Sequence, residues 1–203
     1  QIHHGPRGYN GSVYASGWSF NVPTQTLYDS YDVTDTRRGV AILDIEAWAE
    51  STGAEYSKGY EHTGYFNHKY IPRAGLSGAQ QELNYGINFR AIRYADVLLM
   101  AAEANNRKSS ANDTKAQNYL NQVRARAFAG ESNASSSIGP VLTKEIWDER
   151  RLELAMEGHR FFDLVRTGEA AATIAGFVTG KHEVFPIPQT EIDISGLTQN
   201  SGY

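Results

Sequence analysis

The chain has no cysteine. That excludes a disulfide framework, thiolate catalysis and any zinc site built on sulfur. It has no run of about 18 apolar residues, so no segment reads as a membrane-spanning helix. It has no Lys/Arg-rich run, and its formal net charge is -4, which argues against an electrostatic nucleic-acid binder. No His-Glu-x-x-His and no histidine pair at i,i+4 spacing occurs among His3, His4, His62, His68, His159 and His182, so no metal is expected. There is no Gly-x-Ser-x-Gly elbow and no glycine loop that cradles phosphate, and no cofactor is expected. What remains is a chain of 203 residues with a near-average apolar content of 40%, enough to bury a core.

The aromatics are unevenly placed. Nine of the twelve tyrosines and two of the three tryptophans precede position 88, among many Gly, Asn, Ser and Thr residues. Residues 1–87 carry no sustained helical period, and Gly5-Pro6, Gly8, Gly11, Gly17 and Pro23 punctuate their start. Thr24 to Tyr31 predicts a short helix, Val40–Ile45 a strand, and Gly64–Ile71 a second extended piece that pairs with the first around a Gly53–Gly59 loop.

From Asn88 the pattern becomes helical. Asn88 reads as an N-cap for Phe89 to Asn106, with Ile92, Ala95, Leu99 and Ala102 on the inward stripe. Asp113 or Thr114 reads as the cap of a second helix to Ala129, stopped by Gly130, with Leu120, Val123 and Ala127 inward. A short polar loop makes the two antiparallel neighbours. Thr143 reads as the cap of a helix from Lys144 to Glu157; Gly158 breaks it, and His159 to Arg166 forms a further one, ended by Gly168. The tail His182–Pro188 is expected to be an extended strap anchored by Val184, Phe185 and Ile187, followed by a polar turn at Gln189–Glu191. The expected architecture is mainly α, with helical hairpins, an irregular loop-rich region and a short β-hairpin. Its two parts are an aromatic-rich ligand-facing region at 1–87 and a helical part with an extended tail at 88–203.

Seven pieces of the chain resemble, in order, the RagB/SusD family. They are Pro23-Thr-Gln-Thr-Leu-Tyr-Asp-Ser-Tyr31 with Asp35-Thr-Arg-Arg38; Gly64-Tyr-Phe-Asn-His-Lys-Tyr70; Phe89 to Ala104, with its Arg-Tyr-Ala-Asp-Val-Leu-Leu-Met core; Leu120-Asn-Gln-Val-Arg-Ala-Arg126; the charged run Glu149–Gly168; Phe185-Pro-Ile-Pro188; and Gln199-Asn-Ser-Gly-Tyr203. The resemblance implies a tetratricopeptide-like scaffold, a lipoprotein on the outer-membrane surface, binding of an oligosaccharide or another nutrient, and a TonB-dependent (SusC-like) transporter as partner. It also implies that this chain is the C-terminal portion of a longer or processed protein. The missing N-terminal portion would then be a further partner and would carry the lipid anchor.

Sugar recognition needs flat aromatic faces and a few directional polar groups. Trp18, in a glycine-bounded loop near Tyr14 and Tyr9, is the leading candidate, with Trp48 between Glu46 and Glu50 on one face of a strand. Asn10 and Asn21 are candidates for hydroxyl contacts. The plain alternative is that these rings hold an irregular region together. Arg150, Glu153 and Glu157, then Arg160, Asp163 and Arg166, read as an ion-pair network reaching Arg93 or Glu103. A glycoside hydrolase using Glu153 and Glu157 is the rival enzyme reading, disfavoured because neighbouring arginines keep both carboxylates ionised. A helical scaffold that binds only proteins is the other rival.

Overall fold

A computed structural model of the chain describes residues 2–59, 61–76, 86, 88–129 and 133–203. These form two compact units, 1–157 and 158–203. The change of sequence character at residue 88 lies inside the first unit. The helix stop expected at Gly130 lies outside the described residues.

The first unit opens with loops and two short helices, α1 (Gln25–Asp29) and α2 (Arg37–Ala41). Thr24 caps α1, its hydroxyl accepting from Leu27 N at 3.2 Å. Strand β1 (Ile42–Asp44) pairs antiparallel with β2 (Tyr65–Asn67), in the register Ile42↔Asn67, Leu43↔Phe66 and Asp44↔Tyr65. The pairing matches the expected hairpin, but its connection is not a plain loop. Helix α3 (Ile45–Thr52) starts directly after β1, because the Asp44 carboxylate accepts from Ala47 N at 3.0 Å. It stops at Gly53, which takes the left-handed φ of 72° that a side chain disfavours. The strand face expected to carry Glu46, Trp48 and Glu50 is therefore a helix. The sequence signal for it is the Asp44 cap and Gly53 stop.

Helices α4 (Tyr94–Arg107) and α5 (Asp113–Ala127) form an antiparallel hairpin, and α6 (Gly139–Glu153) packs on both. Leu98, Leu99, Ala102, Leu120, Leu142 and Ile146 fill the space between them. The first helix begins at Tyr94, not after Asn88; Ile92 precedes it and is 70% exposed. Arg93 occupies the cap position with extended backbone and no side-chain cap, its guanidinium being engaged elsewhere. Asn112, one residue before the expected cap, accepts from Lys115 N at 2.9 Å. Asp113 is thereby free to accept from Gly139 N and Asn106 Nδ2, both at 2.8 Å, which pins the start of α6. That start is four residues before Thr143. Pro140 sits in the first turn, where its fixed φ fits and no N–H is needed. Helix α6 ends at Glu153, and turns carry the chain to Glu157.

A second core lies under the loops: Tyr9, Tyr14, Leu43, Ile45, Phe66 and Ile71. The loops are held as a three-strand-like platform. Segment 3–6 pairs with 17–20 through Phe20 N to His3 O (2.7 Å), Ser19 N to Gly5 O (2.9 Å) and Gly17 N to Pro6 O (2.8 Å). Segment 7–10 pairs with 55–57 through Ser57 N to Arg7 O (2.7 Å) and Asn10 N to Glu55 O (3.2 Å).

The second unit contains α7 (Arg160–Thr167), α8 (Ala170–Thr173) and α9 (Gln189–Ser195). Gly168, at φ 76°, ends α7. The polar stretch expected to be a turn at Gln189–Glu191 is the start of α9, following Pro188. The Gln199 amide closes the tail, accepting from Ile187 N at 2.8 Å and donating to Ile187 O at 2.9 Å. Val184 and Phe185, expected as anchors, are 46% and 76% exposed, and the strap is held by its backbone instead, with Asn200 Nδ2 donating to Phe185 O at 2.7 Å and the Tyr203 hydroxyl to Val184 O at 2.9 Å.

Candidate functional site

The charged run builds the support. Glu149, Glu153 and Glu157 stand four residues apart, and each side chain is 3% exposed. Arg37 in α2 donates to Glu149 (2.5 Å) and Glu153 (2.9 Å) while its other nitrogens clasp Asp35. Arg93 donates to Glu153 (2.8 Å) and to both oxygens of Glu157 (2.7 and 2.8 Å). Arg126 also reaches Glu153, and Arg124 reaches Glu149 at 3.0 Å. Lys69 donates to Glu157 at 2.6 Å and to Glu153 O at 2.8 Å. Arg150 pairs with Asp96 of α4 at 2.6 Å.

Burial opposes ionisation of Glu153, but hydrogen bonds from Arg126, Arg93 and Arg37 outweigh it and hold its carboxyl at about 2. Burial likewise opposes ionisation of Glu157, and Arg93 with Lys69 keeps it below the usual carboxylate range. Burial also lowers Lys69, which its carboxylate partners only partly offset. The sequence reading of Asp35, Arg37 and Arg38 as a staple between the irregular region and the helices agrees with the Arg37 pairs to Glu149 and Glu153; Lys69, Arg124 and Arg126 were missed, and only the fold brings them to one stripe. In the second unit, Arg166 pairs with Asp163 within α7 at 2.7 Å, and Arg160 begins that helix. Glu103 pairs with Arg107 one turn on, at 2.8 Å.

The ring-bearing loops sit on the other part of the first unit, and the structure sorts the expected binding residues into different places. Tyr14 is 2% exposed. Trp48 (centroids 5.2 Å apart), Tyr9 (5.7 Å) and the Arg73 guanidinium (4.9 Å) cover it, and its hydroxyl meets His68 Nε2 at 3.1 Å. The ring is a pillar of the loop core in this structure. Tyr9 is also buried, with its hydroxyl accepting from Trp48 Nε1 at 3.0 Å. Asn10 is exposed, but its amide is tied to Glu55, accepting from Glu55 N at 2.7 Å.

Trp18 is different. It is 37% exposed and adjoins Phe20, which is 53% exposed. Their rings meet edge to face at 6.1 Å, and His3 packs edge-on against Trp18 at 4.7 Å and stacks on Phe20 at 6.1 Å. Arg7 donates to Trp18 O at 3.0 Å and fixes the loop. The rings border a cleft of about 310 Å³ that Arg7, Ser19, Asn21, Gly59 and Glu61 also line. Three of those residues, Ser19 (φ 60°), Asn21 (φ 53°) and Glu61 (φ 56°), are non-glycines in the left-handed region. Each such conformation costs on the order of 1 kcal/mol and persists only where surrounding structure imposes it. Three around one cleft mark it as a built feature. Phe20 and Arg7 were missed from sequence; the available signal was a second aromatic residue two positions after Trp18.

A second cleft, of about 330 Å³, lies beside Tyr9, Asn10, Ser12, Trp48, Thr52 and Gly53. Among the described residues, no group of three or more His, Asp or Glu side chains is placed to hold a metal ion. Nor is any helix among them long and apolar enough to cross a membrane.

Comparison with known proteins places this architecture. A laminarin-binding SusD-like protein of known structure is 41% identical, superposes with a TM-score of 0.84, and is matched by 100% of this chain over 43% of its own. Surface glycan-binding protein A from Bacteroides thetaiotaomicron, solved with laminarihexaose, is 30% identical with a TM-score of 0.81, over 98% of this chain and 46% of its own. SusD-like protein P2 of Formosa agariphila is 35% identical over 178 residues, 80% of this chain and 34% of that protein. The chain thus spans about a third of that curated relative and under half of these solved relatives. The SusD family model matches residues 44–183, so the chain belongs to the SusD family.

Proposed function

We propose that this chain carries the gripping surface of a non-catalytic glycan-binding protein, and that Trp18 and Phe20 form the stacking platform. The supporting observation is the pair of exposed rings held by His3 and Arg7 over a cleft whose backbone is strained at three positions. Sugar rings present flat C–H faces, and an aromatic platform with a few polar groups at its edge suits them. Asn21, Ser19 and Glu61 supply those polar groups here. Two solved relatives are described as binding laminarin or laminarihexaose, which makes laminarin-type glucans the first ligands to test.

Glycosidase chemistry is disfavoured by the state of the carboxylates. Glu153, at about 2, stays ionised at neutral pH and has no proton to donate. The wider reading follows the family: a lipid-anchored protein at the outer-membrane surface that hands its glycan to a TonB-dependent, SusC-like transporter, with the anchor and further helices supplied by chain beyond these residues. Isothermal titration with laminarin, other glucans and peptides tests the binding. The expected result is glucan binding in wild type and a loss of tenfold or more, roughly the worth of one stacked ring, in Trp18→Ala. Binding to no glycan, or full affinity in Trp18→Ala, rejects the assignment.

A further inference from the structure

Asn10 is the one asparagine of the chain that is followed by glycine. Asparagine amides are chemically labile, because the backbone nitrogen of the next residue can attack the side-chain carbon. The attack is held back by the next side chain and by hydrogen bonds on that nitrogen. Both brakes are missing here. Gly11 has no side chain and cannot acquire one, since a Cβ there would run into the Tyr9 ring and hydroxyl. Among the described residues the Gly11 N–H makes no hydrogen bond, whereas the Asn10 N–H donates to Glu55 O at 3.2 Å. Asn10 is exposed, so water and base reach it. Its amide is also polarised: Oδ1 accepts from Glu55 N at 2.7 Å, and Nδ2 donates to the Glu55 carboxylate at 3.3 Å. A backbone N–H on Oδ1 stabilises the negative charge that develops there during attack.

We propose that Asn10–Gly11 is a self-modification site, where the side-chain amide is converted to a carboxylate without an enzyme. The Gly11 nitrogen loses its proton and bonds to Asn10 Cγ. The Cγ–Nδ2 bond breaks, and the amino group takes up a proton and leaves as ammonia, giving a cyclic imide. Water then opens the imide. Opening at Cγ gives an aspartyl residue; opening at the main-chain carbonyl gives an isoaspartyl linkage. One water is consumed, one ammonia is released, and nothing is oxidised or reduced. In the aspartyl product a carboxylate oxygen replaces Nδ2 beside the Glu55 carboxylate, so a hydrogen bond becomes a like-charge contact. The isoaspartyl product lengthens the backbone before Gly11 and displaces that residue from Tyr9. The Tyr9 hydroxyl accepts from Trp48 Nε1 at 3.0 Å, so the change is reported at that indole. The reaction is independent of glycan binding.

The test incubates the folded chain in alkaline and in weakly acidic buffer, beside the same chain unfolded in urea, and maps amide, aspartyl and isoaspartyl forms by peptide mass spectrometry. Asn10 should lose its amide faster than any other asparagine of the folded chain, and no more slowly than in the unfolded chain. The rate should rise about tenfold per pH unit, because the attacking form is the deprotonated nitrogen. Asn10→Gln should keep its amide, and its near-ultraviolet circular dichroism should stay constant while that of wild type drifts with conversion. An Asn10 amide that survives while other asparagines convert, or that is lost only from the unfolded chain, overturns the proposal. A constant wild-type spectrum through full conversion overturns the coupling to Trp48.

Discussion

Replacing Glu153 by Gln removes the charge at the centre of the ion-pair cluster with almost no change in shape. Arg37, Arg93 and Arg126 all converge on that carboxylate, which is 3% exposed. The variant leaves three guanidinium groups facing a neutral amide whose N–H₂ end cannot accept. Removing one partner of a buried pair costs about 3–5 kcal/mol. An independent route gives a similar size. The folded carboxyl at about 2, against 4.5 for a free glutamate, is a shift of about 2.5 units and about 3 kcal/mol of stability. Because the folded value is depressed, that contribution is complete above pH 4.5 and is lost as pH falls from 4.5 to about 2. Urea unfolding at fixed protein concentration, followed from pH 7 to pH 2, reads both effects. Wild type should lose about 3 kcal/mol more than Glu153→Gln across the acidic window, and the variant should start about 3 kcal/mol lower at pH 7. A variant within about 0.5 kcal/mol of wild type at pH 7, or parallel acid profiles for the two, would show that the cluster contributes nothing net. The exposed Lys58–Glu46 pair is the control, and Glu46→Gln should leave the urea midpoint where it was.

Leu120→Ala, in the fully buried centre of the α4–α5–α6 packing, should cost about 2–5 kcal/mol in the same assay. Asp44→Ala removes the cap of α3 and should cost about 1 kcal/mol, with a change in the near-ultraviolet circular dichroism of Trp48; an unchanged spectrum and midpoint would contradict the capping assignment. The 203-residue chain alone should self-associate through Tyr94, Val97 and Met100 on the outer side of α4, which are 73%, 43% and 46% exposed. Light scattering should show Val97→Glu shifting it towards monomer, and a wild type that stays monomeric at high concentration would contradict this.

The hairpin of α4 and α5 was legible because Ala95, Leu99, Ala102, Leu120 and Val123 recur at helical spacing and do line the core. Element starts were less legible. Asn88 looks like a cap, but the Arg93 backbone stays extended while its side chain serves Glu153 and Glu157, a tertiary demand that no local pattern announces. Helix α3 was hidden because Val40–Ile45 is rich in β-branched residues, and their preference dominates a short window. At the candidate site, aromatic density could be read but not which ring faces outward. Tyr14 and Trp18 occupy similar sequence surroundings; one is walled in by Trp48 and Arg73 and the other is not, and those walls come from residues 30 and more positions away.

The stripe Glu149, Glu153, Glu157 has a consequence for how the molecule assembles. Like charges one turn apart work against a helix standing alone, and here Glu149 and Glu153 stand one turn apart at the end of α6, with Glu157 in the turns that follow. That helix gains its full stability only when cations arrive from α2, from the start of α4, from α5 and from the turn after β2. Its formation and the docking of the loop region through Arg37 and Lys69 are thus one cooperative event. A lesion in the loop region that displaces either cation should fray a helix more than 80 residues away in sequence, so that damage to the loops and poor folding of α6 would travel together in variants of that region.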